Sequence, residues 1–447
     1  MIKFARPALF IYFAALAALF AFIVPPFEAP DEPGHLAYIN YFAGHGALTD
    51  QNVKALTVFG EGNQPPLYYA TASLVSRLLR PDGTVTFALR DNKKHFLAGG
   101  GDSFVPRYYH PGEPTFAASS GRAAFYLLRF FSVLLALLNL YFIYKIAGLF
   151  FSDPLIRLMP VALAATLPQF AYLSGMINND GLSNLLTTVC LYFTFKLFNE
   201  STEPKNYLWL GLCFGLGLLA KASLLVLLPG LAAVLLYAGW KNKNARVAIV
   251  KYSLFGVAVA TLLSGWWFIR NLLLYGDLLG RQAEMRALAH IVAHRSLFTL
   301  LFGTQFCFAL FLSFVGAFGW LGVLLPSVAY YFYEVLMLAA AVGVYLGLKR
   351  AAFVQPKIYL ALFFIVLNLG GVIAYNLTFI SMQGRLMFPT LSLIVIVLTY
   401  GCRGLLDGLS AAAVKWALCS LVLVLIIIDL VSVFSTVSFY YNPLSYL

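Results

Sequence analysis

Two adjacent carboxylates, Asp31 and Glu32, lie between Pro30 and Pro33 directly after the first long apolar run. The two prolines fix φ and stiffen the backbone around both acids. Such a pair suits general-base chemistry, in which one acid accepts a proton and the other orients a polar substrate or a cation. Acids at a bilayer surface are costly to desolvate, so they are either solvated or functional. A solvated loop that ends a helix is the alternative interpretation, and the pair alone does not decide between the two.

The composition is typical of an integral membrane protein. Of its 447 residues, 61% are hydrophobic and only 11% are charged, whereas roughly a quarter of the residues in typical soluble proteins are charged. About eleven apolar runs approach the ~20 residues that a spanning helix needs. Most Lys and Arg flank these runs in short loops, so the net charge of +12 reflects topology and not nucleic-acid binding. The sequence therefore predicts an all-α, polytopic membrane protein with about eleven transmembrane helices.

The topology puts the two acids outside. Lys3 and Arg6 precede the first span, which places the N-terminus in the cytoplasm and Asp31 on the outer face. We expect a single integral membrane domain, 1–447, with a long extracytoplasmic loop at 27–122 between spans one and two.

Two amphipathic helices are predicted within that loop. Apolar residues recur at helical spacing from Leu36 and again from Leu67, after the Gln64-Pro65-Pro66 motif, so both helices are expected to lie on the outer membrane surface. Further along the chain, the apolar run 297–325 is interrupted by glycines and is either re-entrant or spanning.

Three cations, Lys221, Arg270 and Arg385, lie at outer ends of spans, where the positive-inside rule does not place them. The stretch 207–240 is too long for one helix and breaks at 220–223, which puts Lys221 between two spans. Arg binds phosphate in a bidentate fashion and Lys does so as a point charge. Snorkelling of Lys221 and helix anchoring by Arg270 are the alternatives. Gly384 beside Arg385 would let a ligand approach the backbone closely.

Together these residues suit group transfer from a lipid-linked phosphate to a hydroxyl acceptor. One carboxylate would take the acceptor's proton while the cations stabilise the departing lipid phosphate. The Asn178-Asn179-Asp180 turn supplies amide donors and another acceptor. The sequence has no P-loop and no dinucleotide fingerprint, which fits a reaction that needs no external nucleotide.

Several outer motifs resemble, in order and spacing and over most of the chain, those of the bacterial DUF2142 family of membrane proteins. These motifs are Pro30-Asp31-Glu32-Pro33-Gly34-His35, Gln64-Pro65-Pro66-Leu67-Tyr68-Tyr69, Asn178-Asn179-Asp180, Arg270-Asn271 with Tyr275-Gly276-Asp277, and Gln383-Gly384-Arg385 through Pro389. That family is in turn similar to the GT-C glycosyltransferases, which carry an Asp-Glu pair in the first outer loop and use polyprenyl-phosphate sugars as donors.

The resemblance implies roles for individual residues. Asp31 matches the position of the proposed catalytic base and Glu32 that of its supporting acid. The donor phosphate would be contacted by Lys221, Arg270 and Arg385. The expected substrate-binding residues are His35, Gln64, Asn179, Asp180, Asn271 and Gln383.

The resemblance also implies a function. We expect a GT-C-type glycosyltransferase in the bacterial inner membrane, with its active site on the periplasmic face. Its partners would be a polyprenyl-phosphate-linked sugar, membrane lipids and a glycan, lipid or protein acceptor, and not nucleic acid. Some GT-C enzymes bind a divalent metal; the ligand set here is incomplete, so no cofactor is assigned and a divalent metal stays open. Many GT-C members append a sizeable C-terminal soluble domain; the sequence is expected to lack one, which would leave acceptor recognition to the loop 81–121 or to a partner.

Two rival functions fit the same residues. A transporter or flippase for a lipid-linked saccharide would bury charges near mid-membrane and show two related halves, whereas the candidates here gather at one face. An oligosaccharide polymerase or ligase would use similar cations without needing Asp31. The sequence does not determine the sugar, the acceptor, the metal dependence or the oligomeric state.

Overall fold

The structure, a computed structural model, describes residues 2–50, 61–80, 82, 84–85, 90–91, 107–109, 120–350 and 356–441. The described part of the chain is almost entirely helical. Its α-helices are α1 (Ile2–Ile23), α2 (Glu32–His45), α3 (Leu67–Ser76), α4 (Ser120–Phe150), α5 (Pro154–Ala165), α6 (Pro168–Ser174), α7 (Asp180–Asn199), α8 (Pro204–Ala220), α9 (Leu228–Lys241), α10 (Arg246–Tyr275), α11 (Arg281–Ala287), α12 (Leu297–Phe302), α13 (Phe306–Val315), α14 (Ser327–Lys349), α15 (Pro356–Asn376), α16 (Leu391–Leu405) and α17 (Ala411–Tyr441).

Short 3₁₀-helices and two hairpins connect these helices. The 3₁₀-helices are Ala222–Leu227, Lys243–Ala245, Ala289–Ile291 and Gly384–Thr390. The strands are β1 (Arg90–Asp91), β2 (Tyr108–Tyr109), β3 (Ala317–Phe318) and β4 (Val323–Leu324). Antiparallel pairing joins β1 to β2, with Arg90 opposite Tyr109, and β3 to β4, with Ala317 opposite Leu324.

The expected number of membrane helices is confirmed. Within the described ranges, nine helices are long and apolar enough to cross a membrane, and the pair α5–α6, bent by 65°, makes ten. This count of nine or ten is close to the predicted number of about eleven. The bend between α5 and α6 falls just before Pro168, a residue that lacks the N–H needed to continue the first helix.

The predicted break around Lys221 is present. Helix α8 ends at Ala220, Lys221 is extended with φ −161° and ψ 127°, and the 3₁₀-helix Ala222–Leu227 follows. The run 297–325 is not one continuous span: α12 has 6 residues, α13 has 10, and the β3–β4 hairpin follows. Each of these helices is shorter than the roughly 17 residues that a crossing requires.

The two helices predicted after the first span exist as α2 and α3. In α2, Leu36 and Ile39 are buried, as their spacing suggests. In α3 the buried face carries Tyr68 and Tyr69, while Leu74 in α3 and Leu78, two residues beyond its end, are 63% and 74% exposed. Exposed leucines of this kind are what a helix resting on lipid presents. Most of the loop 81–121, a predicted region of acceptor recognition, lies outside the described residues.

The packing of α1 fixes where the first outer loop begins. The Phe20 ring of α1 lies 5.8 Å from that of Tyr172 in α6 and 5.4 Å from that of Phe318 in β3. Beyond α1, the indole Nε1 of Trp320, in the turn of the β3–β4 hairpin, donates to Phe27 O at 3.1 Å. The hairpin therefore packs against the α1–α2 loop, which carries the Asp31-Glu32 pair.

Candidate active site

Asp31 is the residue that immediately precedes α2. Its backbone is left-handed, with φ 64°, and its side chain makes no capping hydrogen bond to α2. The carboxylate instead forms an ion pair with the Arg385 guanidinium, through Oδ2 and Nη2. Because the Asp31 side chain remains 39% exposed, this acid is both paired and open to solvent.

Arg385 is the centre of the cluster. It lies in the 3₁₀-helix Gly384–Thr390, its side chain is only 10% exposed, and its Nη1 is 3.4 Å from Asp180 Oδ2. One guanidinium therefore contacts two carboxylates that come from distant parts of the chain. The preceding Gly384 N donates to Ser313 Oγ at 2.8 Å, which ties this turn to α13.

The reason for glycine at position 384 differs from the expected one. A Cβ on Gly384 would lie 2.1 Å from Phe314 N, so the α13 backbone leaves no room for a side chain. The glycine permits close helix packing next to Arg385, and it is α13, not a ligand, that approaches it.

Lys221 completes the cluster from the break after α8. Its Nζ lies 2.5 Å from Asp180 Oδ1, and Asp180 is the first residue of α7. Asp180 therefore bridges Lys221 and Arg385. The result is an alternating series of charges, Asp31, Arg385, Asp180 and Lys221, supplied by four separate segments. We call these four residues the charge cluster.

The charge cluster keeps Asp31 ionised. Burial raises the pKa of Asp31, but the Arg385 guanidinium, with a contribution from His35, outweighs that effect and leaves the pKa below its usual value. A base that is ionised but held by a cation is weak until the cation moves to another anion.

Glu32, the other predicted catalytic acid, belongs to a separate network. Its side chain is fully buried and pairs with Arg129 of α4, with Nη2 and Oε2 2.7 Å apart. The adjacent carboxylates thus have different cations, Arg385 for Asp31 and Arg129 for Glu32. Sequence reasoning missed Arg129, although an arginine inside a long apolar run is itself a signal for a buried partner.

His35 and Glu61 lie beside the charge cluster. His35 Nδ1 is 3.0 Å from Tyr69 Oη and 3.8 Å from Glu61 Oε2. Burial lowers the pKa of His35 to about 4, and burial together with the Asp31 charge raises the pKa of Glu61 to about 8. Both groups are therefore neutral at pH 7. Glu61 was also missed, because a single acid in a polar loop carries no distinguishing pattern.

Two other predicted substrate-binding residues meet each other. Asn179 Nδ2 lies 3.4 Å from Gln64 Oε1. Because Asn179 directly precedes Asp180 in the chain, this pair borders the charge cluster. Gln383 is half-buried and directly precedes Gly384 in an extended conformation.

Arg270 and Asn271 make contacts elsewhere. Arg270 Nη2 donates to Thr49 O, and its guanidinium lies 4.8 Å from the Trp267 ring centroid. Asn271 Nδ2 is 3.4 Å from Leu278 O. The cation–π contact and the carbonyl bond are typical of an arginine that anchors a helix end, the alternative that the sequence left open for Arg270.

The charged groups of the cluster neutralise one another in pairs. Asp31 and Asp180 are both within ion-pair distance of Arg385, and Asp180 also contacts Lys221. Among the residues that the structure describes, no three His, Cys, Asp or Glu side chains are grouped in a way that could hold a metal ion.

The family can be assigned from the sequence match. The family described as "Predicted membrane protein (DUF2142)" matches residues 14–394, which is most of the chain. The protein belongs to the DUF2142 family. No curated protein matches this DUF2142 member significantly by sequence.

The fold is similar to those of ArnT and of an archaeal oligosaccharyltransferase. ArnT from Cupriavidus metallidurans bound to undecaprenyl phosphate matches with a TM-score of 0.55 and 11% identity, over 99% of this chain and 77% of ArnT. ArnT in the apo state matches with a TM-score of 0.53 and 13% identity, over 95% of this chain and 64% of ArnT. The Archaeoglobus fulgidus oligosaccharyltransferase in the apo form matches with a TM-score of 0.51 and 12% identity. That match covers 98% of this chain and 55% of the transferase, so this DUF2142 protein spans between about half and three quarters of these relatives.

Proposed function

We propose that this DUF2142 protein is a GT-C-type glycosyltransferase that moves a sugar from a polyprenyl-phosphate donor to a hydroxyl of a glycan, lipid or protein. The reaction would take place at the periplasmic face of the bacterial inner membrane, next to the loop 27–122. The observation that carries the proposal is the charge cluster, in which a partly exposed carboxylate, Asp31, lies against a phosphate-binding cation, Arg385.

In the proposed reaction, the acceptor hydroxyl oxygen attacks the anomeric carbon of the donor sugar. The new bond joins that oxygen to the anomeric carbon, and the bond between the anomeric carbon and the phosphate oxygen breaks. Asp31 takes the acceptor's proton, and the bonding electron pair leaves with the lipid phosphate. Because a single displacement needs one base and no covalent intermediate, the configuration at the anomeric carbon inverts.

The cations would stabilise the departing phosphate. Arg385 and Lys221 both contact Asp180, so a phosphate arriving between them would compete with carboxylates for the same donors. Arg pairs with phosphate in a bidentate fashion, and fixed cations stabilise charge that develops in the transition state. As Arg385 turns to the phosphate it releases Asp31, whose basicity then rises at the moment when the acceptor must be deprotonated.

An apolar groove supports the lipid nature of the donor. A cavity of about 400 Å³ lies between α8, the following 3₁₀-helix, α9 and α10, and its lining is mainly aliphatic and aromatic. Leu218 and Leu225, on either side of Lys221 in the chain, both line it. A polyprenyl chain in this groove would bring its phosphate towards Lys221. The fold also supports this choice, since ArnT binds undecaprenyl phosphate.

The test is sugar transfer from purified polyprenyl-phosphate sugars by the wild type and by Asp31→Asn in liposomes. We expect transfer, or slow hydrolysis of the donor, by the wild type and a loss of about 10²–10⁴-fold in Asp31→Asn, the range for removal of a general base. Undecaprenyl phosphate should still bind Asp31→Asn, because the cations remain.

Asp407→Asn is the matched control, since it also removes one carboxylate from an arginine pair, that of Arg350. Arg385 precedes the N-terminal end of α16, whereas Asp407 follows its C-terminal end. Transfer by Asp407→Asn should therefore equal that of the wild type. Full activity of Asp31→Asn would show the base assignment to be wrong. Movement of labelled lipid across the bilayer without any donor reaction would favour the transporter instead.

A further inference from the structure

We infer that Glu32 and Arg129 form a buried clamp that positions Asp31, and that Glu32 takes no part in proton transfer. This inference rests on the proposed function, in which Asp31 is the base. It assigns different roles to two neighbouring acids that the sequence presents as a catalytic pair.

The acceptor sites of Glu32 are all occupied by protein groups. Oε1 accepts from Arg129 Nε at 2.9 Å and from Ile177 N at 3.1 Å. Oε2 accepts from Arg129 Nη2 at 2.7 Å and from Phe27 N at 2.9 Å. A carboxylate has about four lone-pair sites, so Glu32 has no position left for a substrate proton. Its side chain is also fully buried, which denies a substrate access.

Arg129 is equally saturated. Besides its two bonds to Glu32, Nη1 donates to Ala21 O at 2.8 Å and to Val24 O at 2.6 Å, and Nη2 donates to Pro25 O at 3.2 Å. These contacts use the five N–H donors that a guanidinium carries. The three carbonyls belong to the last turn of α1 and the residues just beyond it, which have no helical partners of their own. One side chain of α4 therefore caps α1 and binds the start of α2.

The clamp encloses a segment in a disfavoured backbone conformation. Phe27 and Asp31 have φ values of 68° and 64°, and non-glycine residues rarely adopt this left-handed region. Glu32 holds Phe27 N, and Trp320 holds Phe27 O. Phe27 is thus held through both its N–H and its C=O, while the Asp31 side chain makes no cap bond to α2. Strain of this kind persists where the surroundings over-determine it, and here it directs Asp31 towards Arg385.

The chemistry of the clamp favours positioning over simple stabilisation. A buried ion pair is weak support for stability, because well-packed apolar side chains of the same volume often stabilise a fold equally well. Directional bonds from one guanidinium to a carboxylate and three carbonyls supply what apolar packing does not, a fixed orientation of the peptide next to the base.

The first test separates kcat from KM in Glu32→Gln and Arg129→Lys, with Asp407→Asn as control. Glu32→Gln keeps the shape of the side chain but places an amide N–H opposite groups that are themselves donors. Arg129→Lys keeps the positive charge but loses the planar set of donors that a guanidinium provides. We expect kcat to fall by about 10- to 100-fold with the donor KM within twofold of wild type, because a small displacement of a catalytic group costs about this much. A kcat equal to that of the wild type in variants that still fold would overturn the inference. A change in KM as large as the change in kcat would also overturn it.

The second test needs no activity. Asp31→Cys/Arg385→Cys is prepared in a background with the five native cysteines replaced by serine, with and without Glu32→Gln, and the two introduced thiols are joined by a short bifunctional thiol reagent. We expect the yield of cross-link to fall at least threefold when Glu32→Gln is present. An unchanged yield would overturn the positioning role even if transfer is observed. Absence of transfer by the wild type, together with a lowered yield, would reject the proposed function and retain the clamp.

Discussion

Asp31 and Glu32 are neighbours in the chain, yet the fold places them in opposite electrostatic situations. The Asp31 side chain is 39% exposed and has a cation, Arg385, that it shares with Asp180. The Glu32 side chain is 0% exposed and is surrounded by Arg129 and two backbone N–H groups. Two carboxylates in one motif therefore differ in what they can do: one can exchange its partner, and the other cannot.

The difference follows from the cost of desolvation. A fully buried carboxylate is tolerated only when its charge and its lone pairs are all compensated, which fixes its position and removes it from chemistry. A partly exposed carboxylate needs less compensation, so in the proposed reaction its cation turns to the donor phosphate. Adjacency in sequence thus identifies a site, while burial assigns the roles within it.

The largest effect should come from breaking the buried pair. Arg129→Met leaves Glu32 charged and unpaired, and we expect the free energy of unfolding to fall by about 3–5 kcal/mol. Asp31→Asn is the matched change at the partly exposed acid. Because Arg385 keeps Asp180 as a partner, stability should change by roughly 0–1 kcal/mol. Thermal or denaturant unfolding in detergent checks both. Equal destabilisation by the two variants would remove the distinction between the acids.

A second comparison concerns the two arginines predicted to bind the donor phosphate. Arg385→Lys removes the fork from the charge cluster, and we expect transfer to fall by about 10²-fold, near the loss for one oxyanion-stabilising donor. Arg270→Lys should lower transfer by less than about tenfold, because Arg270 contacts Thr49 and Trp267 and none of the four cluster residues. Steady-state rates at saturating donor measure both. A larger loss in Arg270→Lys would indicate that Arg270 contacts the donor phosphate.

The pH dependence should report the exchange of partners at Asp31. In the free protein, Arg385 holds the pKa of Asp31 below its usual value, so kcat/KM should persist to low pH and fall only as the pH drops through that pKa. If the donor phosphate engages Arg385 as proposed, the pKa of Asp31 rises in the donor complex, and the acid limb of kcat should lie at higher pH than that of kcat/KM. Coincident acid limbs would indicate that Arg385 stays on Asp31 throughout.

A smaller effect is expected at Glu61, the acid beside the charge cluster. Burial raises its pKa to about 8 in the folded protein, above the ordinary value of 4.5. Its stabilising contribution is therefore complete below about pH 4.5 and is lost as the pH rises through about 8. Thermal midpoints of the wild type should fall between pH 6 and pH 9, whereas those of Glu61→Gln should change less. Identical slopes for the two proteins would assign the dependence to other groups.

Much of the fold could be predicted because the bilayer constrains local sequence so strongly. Each span needs a continuous apolar run, which is visible one segment at a time. The break at Lys221 was visible as well, because a charged residue interrupts the run there. The run 297–325 was harder, since its length permits a span, and only the packing of Gly384 against α13 and the β3–β4 hairpin shows how it folds.

The sequence by itself determined the membrane class, the approximate number of spans and the motifs that contain Asp31, Asp180, Lys221 and Arg385. Only the tertiary structure decided which of these charges meet, because Asp31 and Arg385 are 354 residues apart and Glu32 and Arg129 are 97 apart. The hydrophobic pattern of a segment shows which of its residues can be buried. A charge pair, in contrast, depends on how the fold brings two distant segments together. For that reason the sequence could nominate both acids, and the fold alone separated the candidate base from the clamp.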